Sequence, residues 1–247
     1  MDSGQQGQGA EARWERLAPG VARRRMPAWD ATAGVIVGST GVLLVDTGAT
    51  VAEGAELGHE VRELFDRRVT HIALTHPHFD HVFGTAAFLH AEVYAAVGAA
   101  ELMRHDAEEL RRDAVRNGLP AGAADEAAAA LVLPHHPVSG ELTLDLGGGR
   151  EVLLANIGPA HTAHDLAVFV PGRGGAPEIV FCGDVVEESG EPQAGPDALP
   201  RRWPAALDRL LELGGEDALY VPGHGAVVDA AFVRAQRDAL AARFGVS

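Results

Sequence analysis

The sequence predicts an α/β fold in which two sheets pack together with helices on the outside. Three observations carry that expectation. Short β-branched runs alternate with helically spaced stretches along the chain. Many strand-like runs are joined by connections too short for a crossover, so they pair antiparallel. Hydrophobic residues make up 47% and charged residues 22% of the 247 positions, ordinary values that let a chain of this length bury a sizeable core. Aromatic residues are only 5%, so Ala, Val and Leu must build that core.

Residues 1–20 are polar and rich in Gly and Gln and read as a tail, which leaves residues 21–247 as one domain. Gly34 to Val45 reads as a hairpin turning at Gly38-Ser39-Thr40-Gly41, and it ends in Asp46-Thr47-Gly48. Val51, Ala55, Leu57, Val61, Leu64 and Phe65 follow at helical spacing. A strand from Val69 to Thr75 leads directly into His76-Pro77-His78-Phe79-Asp80-His81. Residues 82–90 read as helical and Glu92 to Ala96 as a strand.

Residues 98–130 differ from their surroundings. Leu102, Met103, Leu110, Ala114 and Val115 form one apolar stripe on a charged helix, and an Ala-rich stretch follows Pro120. Two helices inserted between strands are expected, with Leu102, Met103 and Leu110 turned towards the sandwich or its pocket as a cover. Strands resume at Leu142–Leu146, Val152–Ile157, Leu166–Val170 and Ile179–Cys182. Gly147-Gly148-Gly149 is a hairpin turn rather than a phosphate cradle, because no helix follows it. Residues 205–213 read as a helix, Leu219 to Val221 as a short strand, and about Ala230 to Arg243 as the last helix. The chain shows no fixed-period repeat and no composition shift large enough for a domain linker.

The formal charge is −15, from 35 acids and 20 bases, and every base is Arg. Such a balance excludes a nucleic-acid partner, since duplex binding rests on neutralising phosphates, and it disfavours adsorption to anionic lipid. The single cysteine, Cys182, permits no internal disulfide. No basic segment followed by an apolar stretch opens the sequence, and no run of about 18 apolar residues occurs, so a cytoplasmic protein is expected. Nothing in the sequence speaks to oligomeric state. Arg23-Arg24-Arg25 reads as a solvated basic run.

The chain has 12 histidines, and their placement points to a metal. In an extended segment residues i and i+2 face the same way, so His76 and His78 can grip one ion, and Pro77 biases His76 towards that geometry. Asp80 and His81 lie one turn further on and can face a second ion. Imidazole and carboxylate are ligands for zinc and its neighbours. Chance would produce such a spacing on the order of 10⁻³ times per chain. His161, Asp184 and His224 each follow an apolar strand-like run beside Gly or Pro, and so belong to strand-end loops, where catalytic groups concentrate. Cys182 shares a strand face with Asp184 and reads as a buried, inert thiol, with a thiolate ligand as the alternative. Asp46, Thr75, His164 and Asp165 are candidates to steady the ligand imidazoles. His135 and His136 either rim the substrate pocket or sit on a surface loop.

The hexapeptide HPHFDH after the strand VTHIALT resembles the signature of the metallo-β-lactamase-fold hydrolases, the HxHxDH binuclear zinc enzymes. Four further motifs follow that family's order: VDTG at residues 45–48, GPAHT at 158–162, FCGD at 181–184 and VPGHG at 221–225. The resemblance spans about residues 34–240. It implies a four-layer αβ/βα sandwich with two zinc ions at one edge between the sheets. By position it places His76, His78 and His161 on the first ion, Asp80, His81 and His224 on the second, and Asp184 between them. It further implies a hydrolase that uses a metal-bridging hydroxide on an ester, thioester, lactone, amide or phosphoester of a small molecule, with Asp80 orienting the nucleophile and carrying a proton to the leaving group. No G-x-S-x-G elbow offers a serine nucleophile instead.

Departures from named branches narrow the expectation. Antibiotic-hydrolysing members do not carry the bridging aspartate at the position of Asp184 and are usually exported. Glyoxalase-II-type thioesterases carry a helical substrate domain beyond the last-histidine motif, which this sequence does not show. Nuclease-type members need a nucleic-acid-binding module. Diiron flavoprotein relatives replace the histidine at the position of His78 with Glu. The rival is an oxidoreductase: the persulfide dioxygenases of the same fold hold one iron with two histidines and an aspartate, here His76, His161 and Asp184. A non-catalytic binding module is the third reading, disfavoured by the complete ligand set.

Overall fold

The computed structural model describes residues 13–246. Its first sheet grows in chain order. Strands β1 (Trp14–Ala18), β2 (Val21–Arg25), β3 (Thr32–Val37) and β4 (Val42–Val45) form an antiparallel meander. Strands β5 (His71–Ala73), β6 (Glu92–Ala96) and β7 (His136–Val138) extend it in parallel to seven strands. Parallel neighbours need crossovers, and helices supply them. These are α1 (Val51–Phe65) between β4 and β5, a one-turn α2 (Phe79–Val82) with a 3₁₀ turn (Phe83–Ala87) before β6, and α3 (Ala99–His105), α4 (Ala107–Arg116) and α5 (Ala121–Ala129) before β7.

The second sheet has five strands. β8 (Glu141–Asp145), β9 (Glu151–Asn156), β10 (Leu166–Val170) and β11 (Ile179–Glu187) pair antiparallel. Helix α6 (Trp203–Gly214) then crosses over to β12 (Leu219–His224), parallel to β11, and α7 (Ala230–Phe244) follows.

Three apolar clusters define the layers. Ile36, Leu43, Val45, Leu154, Val168 and Phe181 fill the space between the sheets. Val35, Leu44, Leu57, Ile72, Phe83 and Met103 join the outer face of the first sheet to α1–α5. Val180, Cys182, Trp203, Leu207, Tyr220 and Val233 join the outer face of the second sheet to α6 and α7. Alternating strand residues therefore supply both faces, and the result is a four-layer αβ/βα sandwich. The sheets approach closely at Gly34, where a Cβ would lie 2.4 Å from the Phe181 ring.

Local chemistry fixes the helix ends. The Thr50 hydroxyl accepts from Glu53 N (3.0 Å), and the Glu53 carboxylate reaches back to Ala49 N (2.7 Å), a reciprocal cap at the start of α1. Asp229 caps α7 through Phe232 N (2.9 Å).

Four sequence expectations are corrected. Residues 14–18, assigned to a tail, form β1, while residues 1–12 lie outside the described residues. Arg23 and Arg24 are 4% and 3% exposed rather than solvated. Arg24 pairs with buried Glu60, which also accepts from the Trp14 indole N–H (2.8 Å), and Arg23 donates to the Gly225 carbonyl (2.8 Å). The insertion 98–130 holds three helices, not two. Residues 82–90 hold only the end of α2 and a 3₁₀ turn. Among the described residues, no helix is long and apolar enough to cross a membrane.

Candidate metal centre

Every group of interest leaves the same edge of the sandwich. After β5 the chain runs out through Thr75 and His76, and His78, still extended (φ −98°, ψ 151°), starts α2. Asp80 and His81 therefore sit in the first turn of that helix. His161 comes from the loop between β9 and β10. Asp184 lies within β11, just after Gly183, whose φ of 54° marks a bulge in the pairing with β12. His224 ends β12. A Cβ on Gly223 would lie 1.8 Å from Asp184 Oδ1, so only glycine lets the last-histidine loop come this close.

Two groups of ligand atoms result. In the first, His76, His78, His161 and Asp184 each present an atom within 4.8 Å of the others. His161 Nε2 lies 3.0 Å from His78 Nδ1 and 3.5 Å from Asp184 Oδ2, which is 3.7 Å from His76 Nε2. In the second, Asp80, His81 and His224 converge: Asp80 Oδ2 is 3.6 Å from His81 Nε2 and 3.5 Å from His224 Nε2, and those two nitrogens are 3.4 Å apart. Asp184 borders both, with Oδ1 at 3.3 Å from His81 Nε2 and Oδ2 at 3.3 Å from His224 Nε2.

These separations suit a shared cation. Ligand atoms at about 2.1 Å from a tetrahedral zinc stand about 3.4 Å from one another. His76 Nε2 and Asp184 Oδ1 are buried without a hydrogen-bond partner, a costly condition that a coordinated ion relieves. The residues present therefore fit a bound metal.

Neighbouring groups set the ring orientations. Asp46 accepts from Thr75 N (2.8 Å), Thr75 Oγ1 (2.7 Å) and His81 Nδ1 (2.8 Å). With the Thr75 proton committed to Asp46, the contact at 3.0 Å is donated by His76 Nδ1 to Thr75 Oγ1. Asp46 thereby fixes two imidazoles so that their Nε2 lone pairs face the cluster. His224 Nδ1 donates to the Trp29 carbonyl (2.8 Å) and again leaves Nε2 facing inward.

Charge and burial act unevenly. Burial, with His81 nearby, holds His76 well below the usual histidine value, and burial lowers His161 to about 4. Burial is the largest influence on His224 and His81 and opposes charge there, but Asp184 and Asp80 together, with Asp46 also behind His81, outweigh it, raising His224 to about 9 and His81 well above the ordinary value. Asp184 in turn is pulled up by burial yet held well below the carboxylate range by His224, His81 and His76.

The other sequence candidates fall elsewhere. Asp165 touches no ligand ring. It accepts from Ala160 N, Thr162 N and Thr162 Oγ1 and so ties the loop that carries His161, while burial raises its carboxyl to about 7. His164 donates to the Val97 carbonyl (2.9 Å). His135 and His136 belong to neither group of ligand atoms. His136 pairs with Tyr94 in register and stacks on its ring, its Nε2 reaches Glu92 (2.7 Å), and His135 N donates to the Val93 carbonyl (2.8 Å). Cys182 is buried in the outer cluster of the second sheet, its thiol pushed up by burial, and no group of metal-capable side chains among the described residues includes it.

Sequence reasoning missed four contributors. They are the Trp29 carbonyl, Asp197, which lies 2.9 Å from His78 Nε2, Glu187, whose carboxylate joins Asp184 and His224 within 4.8 Å, and Trp203, whose ring meets His161 edge-on at 5.4 Å. A backbone carbonyl has no signature in sequence. Asp197 stands in a Gly/Pro loop without periodicity.

Comparisons with known proteins agree with this fold. The model of the Metallo-beta-lactamase superfamily matches residues 26–224, a span that includes both groups of ligand atoms. A curated relative, metallo-beta-lactamase domain-containing protein 1 of Xenopus laevis, is 28% identical over 159 residues, covering 64% of this chain and 54% of that protein. The match thus spans about half the length of that relative. A metallo-beta-lactamase from Pontibacter korlensis superposes with a TM-score of 0.74 at 19% identity, over 92% of this chain and 97% of the other. FIM-1 from Pseudomonas aeruginosa, solved in a mono-zinc form, gives 0.70 at 19% identity, over 95% and 96%.

Proposed function

The chain belongs to the metallo-beta-lactamase superfamily, and from that premise we propose that it is a metal-dependent hydrolase of a small molecule, holding two zinc ions. The observation that carries the reading is Asp184, which stands between a group containing three histidines and a group of Asp80, His81 and His224, close enough to both to serve each.

In this reading His76, His78 and His161 would hold one ion, Asp80, His81 and His224 would hold the other, and Asp184 would serve both. Bound there, the metals supply Lewis acidity at a carbonyl or phosphoryl oxygen and acidify water near neutral pH. The chain's own groups do the rest. Asp46 keeps the His76 and His81 lone pairs aimed inward at no reorganisation cost during reaction. The His224 ring is held by the Trp29 carbonyl. Asp80, beside both histidines of its group, orients the attacking water, accepts its proton and passes it to the leaving group as the bond to that group breaks. Substrates are small-molecule esters, thioesters, lactones, amides or phosphoesters.

Elemental analysis of the purified protein, followed by a panel of lactone, thioester, β-lactam and phosphodiester substrates, tests the reading. Two zinc ions per chain with turnover of at least one class is the expected result. One iron per chain, with sulfite formed from a persulfide, ends the hydrolase reading.

A further inference from the structure

The segment after β11 wraps the group containing three histidines from outside. Leu199 N donates to the Ala160 carbonyl (2.8 Å), which ties this segment to the loop bearing His161. Trp203, at the start of α6, sets its ring edge against His161 and donates its indole N–H to the Val185 carbonyl (2.9 Å) on the Asp184 strand. Asp197, just ahead of the first anchor, places Oδ2 2.9 Å from His78 Nε2.

This last contact has a tautomeric consequence. A carboxylate can only accept, so His78 must carry its proton on Nε2, and the Nδ1 lone pair is left to face His161 and the cluster. His78 is the one ligand imidazole that presents Nδ1 with a carboxylate behind it. His76, His81 and His224 each have Nδ1 engaged by Thr75, Asp46 or Trp29 and present Nε2. A free imidazole in water favours neither arrangement strongly enough to guarantee it. An acceptor on Nε2 locks His78 into the one form that frees Nδ1, and the wrap segment provides it from a loop remote in sequence from the HxHxDH turn.

We infer that Asp197 is the positioning residue of the three-histidine site, holding His78 in the Nε2–H tautomer and so delivering its Nδ1 to the metal. The inference rests on the metal-centre reading above. The side chain of Asp197 is 40% exposed, so its replacement leaves the core untouched, and the same loop can be read out from solution.

The experiment uses metal-free full-length protein and zinc in competition with a chromophoric chelator, together with nitrogen-15 NMR of the histidine rings. Asp197→Ala is expected to weaken uptake at the tighter site by about ten- to a hundred-fold, the range seen when partners of ligand histidines are removed. His78 in that variant should populate both tautomers. Asp197→Asn, which keeps an acceptor oxygen without the charge, should lose less. Glu191→Ala removes a charge from the same loop at an 89% exposed side chain and should leave affinity unchanged. Wild-type affinity and an undisturbed Nε2–H signal in Asp197→Ala overturn the inference alone, as does equal weakening in Glu191→Ala. A wild-type protein that takes up no zinc overturns the metal-centre reading together with it.

Discussion

The strand-end loops and the inserted helices α3–α5 both press on α2, the turn that carries Asp80 and His81, but they are held by different forces. The loops are pinned by buried polar contacts: Asp46 to Thr75 and His81, Asp165 to the backbone of Ala160 and Thr162, Arg23 to the Gly225 carbonyl. The insertion is held by one apolar stripe. Met103, Leu110, Ala114, Ala124 and Ala127 join Phe79 and Phe83 in a single cluster, and the outward face carries Glu-Arg pairs such as Glu108–Arg111 and Glu109–Arg116. Of the sequence-chosen stripe, Met103 and Leu110 face the sandwich and Leu102 is half-buried. The difference teaches where precision is located. Buried hydrogen bonds to charged groups are worth roughly 1.5–3 kcal/mol each and fix direction, whereas apolar burial fixes only depth.

Predictions that separate the two regions run from large effects to small. Asp80→Ala should leave the fold intact and lower kcat by roughly 10²–10⁴, since under the proposed function it removes a proton carrier as well as a ligand. Wild-type kcat at full metal occupancy would show that Asp80 has neither role. Met103→Ala, at a site with no exposed surface, should cost about 2–5 kcal/mol in denaturant unfolding while zinc content per folded chain stays the same. Loss of zinc without loss of stability would break the contrast between the regions. Asp165→Ala should cost about 1–3 kcal/mol by stranding the Ala160 and Thr162 donors. It should also weaken zinc binding through His161, an effect Met103→Ala lacks. Arg116→Ala, on the exposed face of α4, should move neither the melting temperature nor the zinc affinity, because solvent screens such pairs.

The legibility of the molecule follows the same division. His76, His78, Asp80 and His81 could be found because one turn of chain holds them all. His161, Asp184 and His224 are assigned through the resemblance of their motifs, supported by the apolar strand-like run before each, and Asp46 is chosen because it follows the strand Val42–Val45. The structure brings these residues to one edge. What escaped was set by distant partners. Arg23 and Arg24 looked solvated because nothing nearby in sequence announces Gly225 or Glu60. That misreading also hid β2, whose alternation is masked by buried arginines, and β1 beside it. β7 is only three residues long and contains Pro137. His135 and His136 belong to neither group of ligand atoms, and their contacts are with Glu92, Val93 and Tyr94 of β6. Asp197 and the Trp29 carbonyl act on ligands from loops whose course no periodic pattern predicts.

The central claim is that Asp184 joins two metal positions with different protein partners. Zinc per chain, measured by elemental analysis on equilibrated wild-type protein beside the double variant His81→Ala/His224→Ala, tests it most directly. The account predicts two zinc ions in the wild type and one in the double variant, retained by His76, His78, His161 and Asp184. A wild type that never exceeds one ion per chain, or a double variant that still binds two, would contradict it.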